Sequence, residues 1–122
     1  VKPLGFDMDD AKLRRAGLDY HDLAHVVVHP DLDSALAKVP GKVWAFTGHA
    51  KHMFTDVEYS DGDGLLFGRE SVGLSEEALN HPRVNAHVRI HMTEGVRSLN
   101  LANSASIALY HAWGSLGFPG GV

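Results

Sequence analysis

The run Leu65-Leu66-Phe67-Gly68-Arg69-Glu70-Ser71-Val72-Gly73-Leu74-Ser75 passes from three bulky apolar residues to a glycine, a polar stretch, a second glycine and a serine. A short apolar run bounded by glycine reads as a buried strand, and Ser75 followed by Glu76 and Glu77 reads as a helix cap with its acidic first turn. The segment is a strand-to-helix unit, with the helix running to about Asn80.

Working outward, the same alternation recurs. Asp61-Gly62-Asp63-Gly64 is a turn before this strand. Lys42 to Thr47 predicts another strand around Val43, Trp44 and Phe46, and Gly48 to Thr55 a loop. Pro30 and Asp31 open a helix through Leu36 that Pro40-Gly41 closes, and Val26-Val27-Val28 within Ala24 to His29 predicts a buried strand. A first helix begins near Asp9 and stops at Gly17, with Lys12, Arg14 and Arg15 at its exit. Val88 to His91 predicts the last strand, and Asn100 caps the longest helix, through about Leu116. Strands apolar on both faces, alternating with helices and without hairpin signals, predict an α/β fold with a parallel sheet covered on two sides. Ligands of such sheets sit at the carboxyl ends of strands, which directs attention to the loops after Phe46, Phe67 and Ile90.

Composition narrows the classes. The chain has 122 residues, 11 Lys+Arg against 15 Asp+Glu, a net charge of −4, 44% hydrophobic residues and no Cys. One domain of this length buries roughly two-thirds of its unfolded surface. The missing cysteines exclude a disulfide scaffold, a thiolate metal site and a Cys nucleophile. No apolar run approaches the roughly 18 residues that span a bilayer, and a soluble, cytoplasmic protein is expected. The acidic balance argues against a nonspecific nucleic-acid coat, while leaving local basic patches open.

Nine histidines raise a metal hypothesis. The pairs His25/His29 and His87/His91 have the four-residue spacing that chelates on a helix, but on strands it separates them by about 13 Å. His49 and His52 share a loop without a carboxylate at ligand spacing, so the histidines read as surface or packing residues and no metal is expected. No G-x-S-x-G elbow, P-loop or G-x-G-x-x-G is present. Gly68 permits either positive φ or close approach by a ligand, and a tight strand-to-helix turn explains it equally well. Thr93 to Asn100 clusters polar side chains at the amino end of the longest helix, where an anionic or polar ligand is favoured. Ser98 and Asn100 could equally be caps; Arg97 has no evident structural duty. The last helix sets Ala102, Ala105, Ile107, Ala108, Leu109, Ala112 and Trp113 so densely that burial over much of its circumference is expected.

Several motifs in one order carry a resemblance that runs nearly end to end: Pro3-Leu4-Gly5-Phe6, Leu13-Arg14-Arg15-Ala16-Gly17-Leu18-Asp19-Tyr20-His21, Leu66-Phe67-Gly68-Arg69-Glu70 with Gly73-Leu74, Arg97-Ser98-Leu99-Asn100-Leu101, and Tyr110-His111-Ala112-Trp113 followed by Leu116-Gly117-Phe118-Pro119-Gly120. The chain resembles the SPOUT superfamily of RNA methyltransferases, and within it the small tRNA (cytidine/uridine-34-2′-O)-methyltransferases that modify the wobble nucleotide. The resemblance implies a single domain over residues 1–122 with a C-terminal deep trefoil knot, an exception to the rule that chains do not knot. It implies S-adenosyl-L-methionine (AdoMet) contacted at Phe46, Gly68, Ile90 and Ser98, largely through main chain, and a homodimer that binds tRNA across both subunits. The small-residue face of the last helix is expected to join that contact. Arg97 and Tyr110 are the candidate catalytic and substrate-positioning residues, and Lys12, Arg14 and Arg15 the candidate tRNA phosphate contacts. For Tyr110 the alternative is a buried tyrosine with a satisfied hydroxyl, and for the basic trio a solvated helix end. The family begins with a strand and a motif holding Asn, Gly and Arg; this sequence starts after it, so a missing strand-helix unit upstream is expected. Methylation of another RNA position or of a base atom, or an AdoMet- or RNA-binding module without turnover, are the alternative functions.

Overall fold

The computed structural model describes residues 27–68, 73–92 and 101–121. Two compact units partition the chain, residues 1–38 and 39–122. In the first, helix α1 spans Leu32–Leu36, and Asp31 caps it by accepting from the Ser34 N–H at 2.8 Å. That bond depresses the Asp31 pKa below its ordinary value. Both the helix and its cap are as the sequence predicts.

The second unit is built on four strands: β1 (Val43–Phe46), β2 (His52–Met53), β3 (Gly64–Leu66) and β4 (Val84–Arg89). They form one sheet in the order β2-β4-β1-β3, and every neighbouring pair is parallel. Helix α2 (Glu76–Leu79) precedes β4, with the Ser75 hydroxyl accepting from the Ala78 N–H at 3.1 Å. Helix α3 (Leu101–Ser115) follows it. β1 is buried at all four positions, as a central parallel strand requires. The core on one side gathers Trp44, Phe46 and Val88 of the sheet, Ala108 and Ala112 of α3, and Phe54 and Tyr59 from the segment between β2 and β3.

Four expectations need correction. Val27 to His29 form no strand, and Val27 is 66% exposed; Ala24 to Val26 lie outside the described residues. A β-branched run becomes a strand only where a neighbour pairs with it, and Pro30 ends this one immediately. The segment 48–55 contains β2 and a 3-10 turn at Phe54–Asp56, because β4 offers an edge with which two residues can pair. The last strand begins at Val84 and ends at Arg89: Val84, Ala86 and Val88 alternate with Asn85, His87 and Arg89, a period of two hidden by its polar half. His91 therefore lies beyond the strand.

Finally, α3 buries only Ala108 and Ala112, while Ile107, Leu109 and Tyr110 are exposed at 42%, 61% and 65%. A helix apolar around its circumference has one sheet to face in a single chain. Ala108 and Ala112 are buried, Ala102 is exposed and Trp113 is half-buried, so within this chain the helix is buried along one stripe and not over much of its circumference. α3 stops at Gly117, in left-handed conformation at φ +83, with Gly117 and Phe118 N–H groups bonded to the carbonyls of Gly114 (3.0 Å) and Trp113 (3.0 Å). This paired closure is the Schellman arrangement, which needs a residue free to adopt positive φ.

Candidate active site at the carboxyl end of the sheet

Parallel strands bring their carboxyl ends together, so Phe46, Phe67 and Ile90 converge although 21 and 23 residues separate them in sequence. The Phe46 and Phe67 rings stack at 4.6 Å between centroids and 19° between planes. Ile90 packs against the same cluster. The Thr47 N–H is held by the Val88 carbonyl at 2.9 Å, locking the exit of β1 to β4. One residue on, a Cβ placed at Gly48 would meet nothing within 4 Å among the described residues, which leave the main chain there open.

Gly68 has a different duty. A Cβ on it would collide with the carbonyl carbon and oxygen of Gly73 and the nitrogen of Leu74. All three are main-chain atoms, so the chain leaving β3 crosses its own return at a distance only glycine permits. Gly73, on the returning strand, is itself left-handed at φ +68. The tight-turn reading of Gly68 is thereby given a structure; the strand exit at Phe67–Gly68 still borders the same end of the sheet as Phe46 and Ile90.

Behind this shelf lies an aromatic cluster. Phe54, 6% exposed, sets its ring edge-on to Phe46 at 6.3 Å and to His91 at 5.9 Å. From α3, the His111 ring lies 4.9 Å from Phe54 and 5.9 Å from Tyr59. The Tyr59 hydroxyl donates to the Phe54 carbonyl at 2.5 Å, and burial pushes its pKa up to about 12, so it stays a donor across the working pH range. Sequence reading missed Phe54, Tyr59 and His111. For His111 a signal existed: Ala108, His111 and Ala112 have the i, i+3, i+4 spacing of a buried helix face.

Tyr110, by contrast, projects from the exposed side of α3, with its ring 5.5 Å from Trp113. The buried-tyrosine alternative is overturned, since neighbours on a helix point about 100° apart and His111 takes the inward place. Lys12, Arg14, Arg15, Arg97 and Ser98 lie outside the described residues. Among the described residues no three His, Asp or Glu converge on a point. His87 instead uses its Nε2 on the Leu79 carbonyl, at 2.7 Å.

The strand exits at Phe46, Phe67 and Ile90, with open main chain at Gly48 and the Phe46–Phe67 stack beside it, form one shelf at the carboxyl end of the sheet. Comparison with known proteins identifies the class. Residues 1–110 match the SpoU rRNA Methylase family. The chain belongs to this family. A tRNA (cytidine(34)-2′-O)-methyltransferase of Burkholderia pseudomallei is 42% identical over 125 residues, covering 100% of this chain and 80% of the relative. Among solved SpoU-type structures, one concerned with 2-OH methylation of C/U34 on tRNA superposes with a TM-score of 0.83 at 38% identity, covering 96% of this chain and 72% of the other. The SpoU methyltransferase AviRb of Streptomyces viridochromogenes, in complex with the cofactor AdoMet, superposes with a TM-score of 0.67 at 26% identity, over 85% of this chain and 43% of that one. The SpoU family is one of methylases, and the parallel α/β sheet found here is the fold these relatives share.

Proposed function

We propose that this protein transfers a methyl group from AdoMet to the ribose 2′-oxygen of nucleotide 34, cytidine or uridine, of tRNA. The observation that carries the reading is the 42% identity across the whole chain to a methyltransferase named for that reaction. The strand-end geometry supports it. Bound AdoMet would supply an already activated sulfonium methyl, so the protein's work is alignment and removal of a proton from a weakly acidic hydroxyl. The bond from O2′ to the methyl carbon forms as the bond from sulfur breaks, and the hydroxyl proton passes to a base or to water.

The residues divide that work as follows. Main chain at Phe46, Gly68, Ile90 and Ser98 holds the cofactor; the open backbone at Gly48 and the Phe46–Phe67 floor fit a group read mainly through its shape and its main-chain hydrogen bonds. Arg97, beside Ser98, orients the reacting ribose or relieves charge on the oxygen, and Tyr110 positions substrate. Lys12, Arg14 and Arg15 contact tRNA phosphates. The working form is a homodimer, to which α3 supplies exposed apolar side chains, Tyr110 with Ile107 on one side of it and Leu109 on the other. A C-terminal trefoil knot belongs to this reading through the family resemblance, and the parallel sheet with β4 between β1 and β2 accords with it. A cytoplasmic location accords with a tRNA substrate; among the described residues no helix is long and apolar enough to cross a membrane.

Single-turnover transfer from radiolabelled AdoMet to individual tRNAs, followed by mapping of the label, tests the reading. Label on the 2′-oxygen of nucleotide 34 is expected. Label on a base atom or at another position, or AdoMet binding without transfer, would replace it.

A further inference from the structure

Among the described residues, the outer edge of the sheet carries cations that no carboxylate pairs with. β2 is the edge strand, bonded on its inner side to β4, with His52 beside Val88 and Met53 beside Arg89. Lys51 stands immediately before β2; Lys51, His52 and His91 are exposed and Arg89 is half-buried. Residues 47–55 and 81–92 hold Lys51, Arg83 and Arg89 and no Asp or Glu, in a chain where acids outnumber bases 15 to 11. Arg83 is engaged, its guanidinium donating to the carbonyls of Val39 at 2.6 Å and Gly41 at 3.1 Å. Lys51 and Arg89 form no ion pair with any carboxylate among the described residues, Asp56 and Glu58 included.

A lysine beside an edge strand can serve only to discourage pairing with another chain. That duty explains neither Arg89, on an interior strand, nor the absence of carboxylates over both segments. Position adds a second argument. Met53 and Arg89 are register partners at the carboxyl ends of two parallel strands, and Ile90 follows Arg89 directly into the cofactor-side loop. The cationic edge therefore borders the end of the sheet where methyl transfer is placed.

We propose that Lys51 and Arg89 form a contact surface for the phosphodiester backbone of the tRNA substrate. The proposal rests on the tRNA methyltransferase reading and adds residues beyond Lys12, Arg14 and Arg15. Arg89 supplies a planar fork suited to phosphate oxygens and Lys51 a mobile point charge. Such contacts set the register of the RNA strand without reading its bases.

The test uses the intact protein and fluorescently labelled tRNA, with binding measured by anisotropy over a series of KCl concentrations. Lys51→Gln with Arg89→Gln should weaken binding at low salt and flatten the slope of log K against log salt by about 1.4 to 1.8, from roughly 0.7 to 0.9 per phosphate contact. The charge-preserving pair Lys51→Arg with Arg89→Lys should keep the wild-type slope, and AdoMet affinity by calorimetry should be unchanged in both. An unaltered slope in the Gln pair, with wild-type binding intact, refutes this surface alone and returns Lys51 to edge protection or to contact with an acidic protein. Equal losses in both pairs, or loss of AdoMet binding, would make the residues structural and overturn the proposal. Failure of the wild-type protein to bind tRNA would overturn the parent reading as well.

Discussion

Replacing Gly68 by Ala tests the crossing at the exit of β3. The added Cβ faces three main-chain atoms of Gly73 and Leu74, all inside the 3.0 Å limit that real Cβ contacts respect. Side chains rotate away from such a clash; backbone does not. The two passes of the chain must separate, at a penalty near the upper end of overpacking, about 3 kcal/mol. Gly73 supplies the internal control. A Cβ there meets nothing within 4 Å among the described residues, so Gly73→Ala is expected to bear the strain of its φ of +68, about 1 to 2 kcal/mol, and Gly73→Asn less. The expected order of destabilisation is Gly68→Ala, then Gly73→Ala, then Gly73→Asn. Urea unfolding followed by circular dichroism reads it, and calorimetry with AdoMet reads the site. Because the crossing lies at a strand exit proposed to hold the cofactor, Gly68→Ala should lower AdoMet affinity at least tenfold, the effect of about 1.4 kcal/mol on the binding-competent form. A loss of stability below 1 kcal/mol, or no larger than that of Gly73→Ala, refutes the steric argument. Lost AdoMet binding at full stability would instead mean that Gly68 is needed for the ligand's approach and not the chain's.

Two further outcomes are expected. The Asp63 carboxylate accepts from the main-chain N–H groups of Lys42 and Ser60 and from the Trp44 indole, each at 2.9 Å, and Trp44 is 4% exposed; Asp63→Ala strands that indole N–H and should lose about 2 to 3 kcal/mol in urea melts at pH 6. Burial pushes the Asp63 pKa up, but the bonds from Trp44, Ser60 and Lys42 and the charge of Lys42 outweigh it and hold the carboxyl below 3.8. Its contribution is thus fully present above pH 3.8 and fades as pH falls through the lower folded value, so Asp63→Asn should flatten the acid limb of the stability profile; an unchanged limb sinks the assignment. For the proposed dimer, Ile107→Asp with Leu109→Asp places a charge on either side of Tyr110 on the exposed surface of α3 and should yield a folded monomer by sedimentation, whereas an unaltered oligomeric state moves the interface elsewhere.

Local chemistry was legible in the sequence wherever one residue and its near neighbours settle the outcome. Asp31 and Ser75 cap their helices because a short side-chain oxygen reaches an N–H three residues on. The buried run Val43–Phe46 could only be a central strand, and the strands it implied are parallel. The convergence of Phe46, Phe67 and Ile90 follows from that class alone, because parallel strands share a carboxyl end.

What the tertiary structure decided has no local signature. β2 is two residues long and exists because β4 lies beside it, while Val27 and Val28, with stronger propensity, pair with no strand among the described residues. Nothing near Gly68 in sequence shows that Gly73 and Leu74 fill the space a Cβ would take. Composition made α3 apolar all round, but only packing chose Ala108, His111 and Ala112 for the core and left Ile107, Leu109 and Tyr110 outside. Propensities and caps are set by bonds that span a turn; pairing, facing and crossing depend on atoms tens of residues away, which become neighbours only once the sheet has closed.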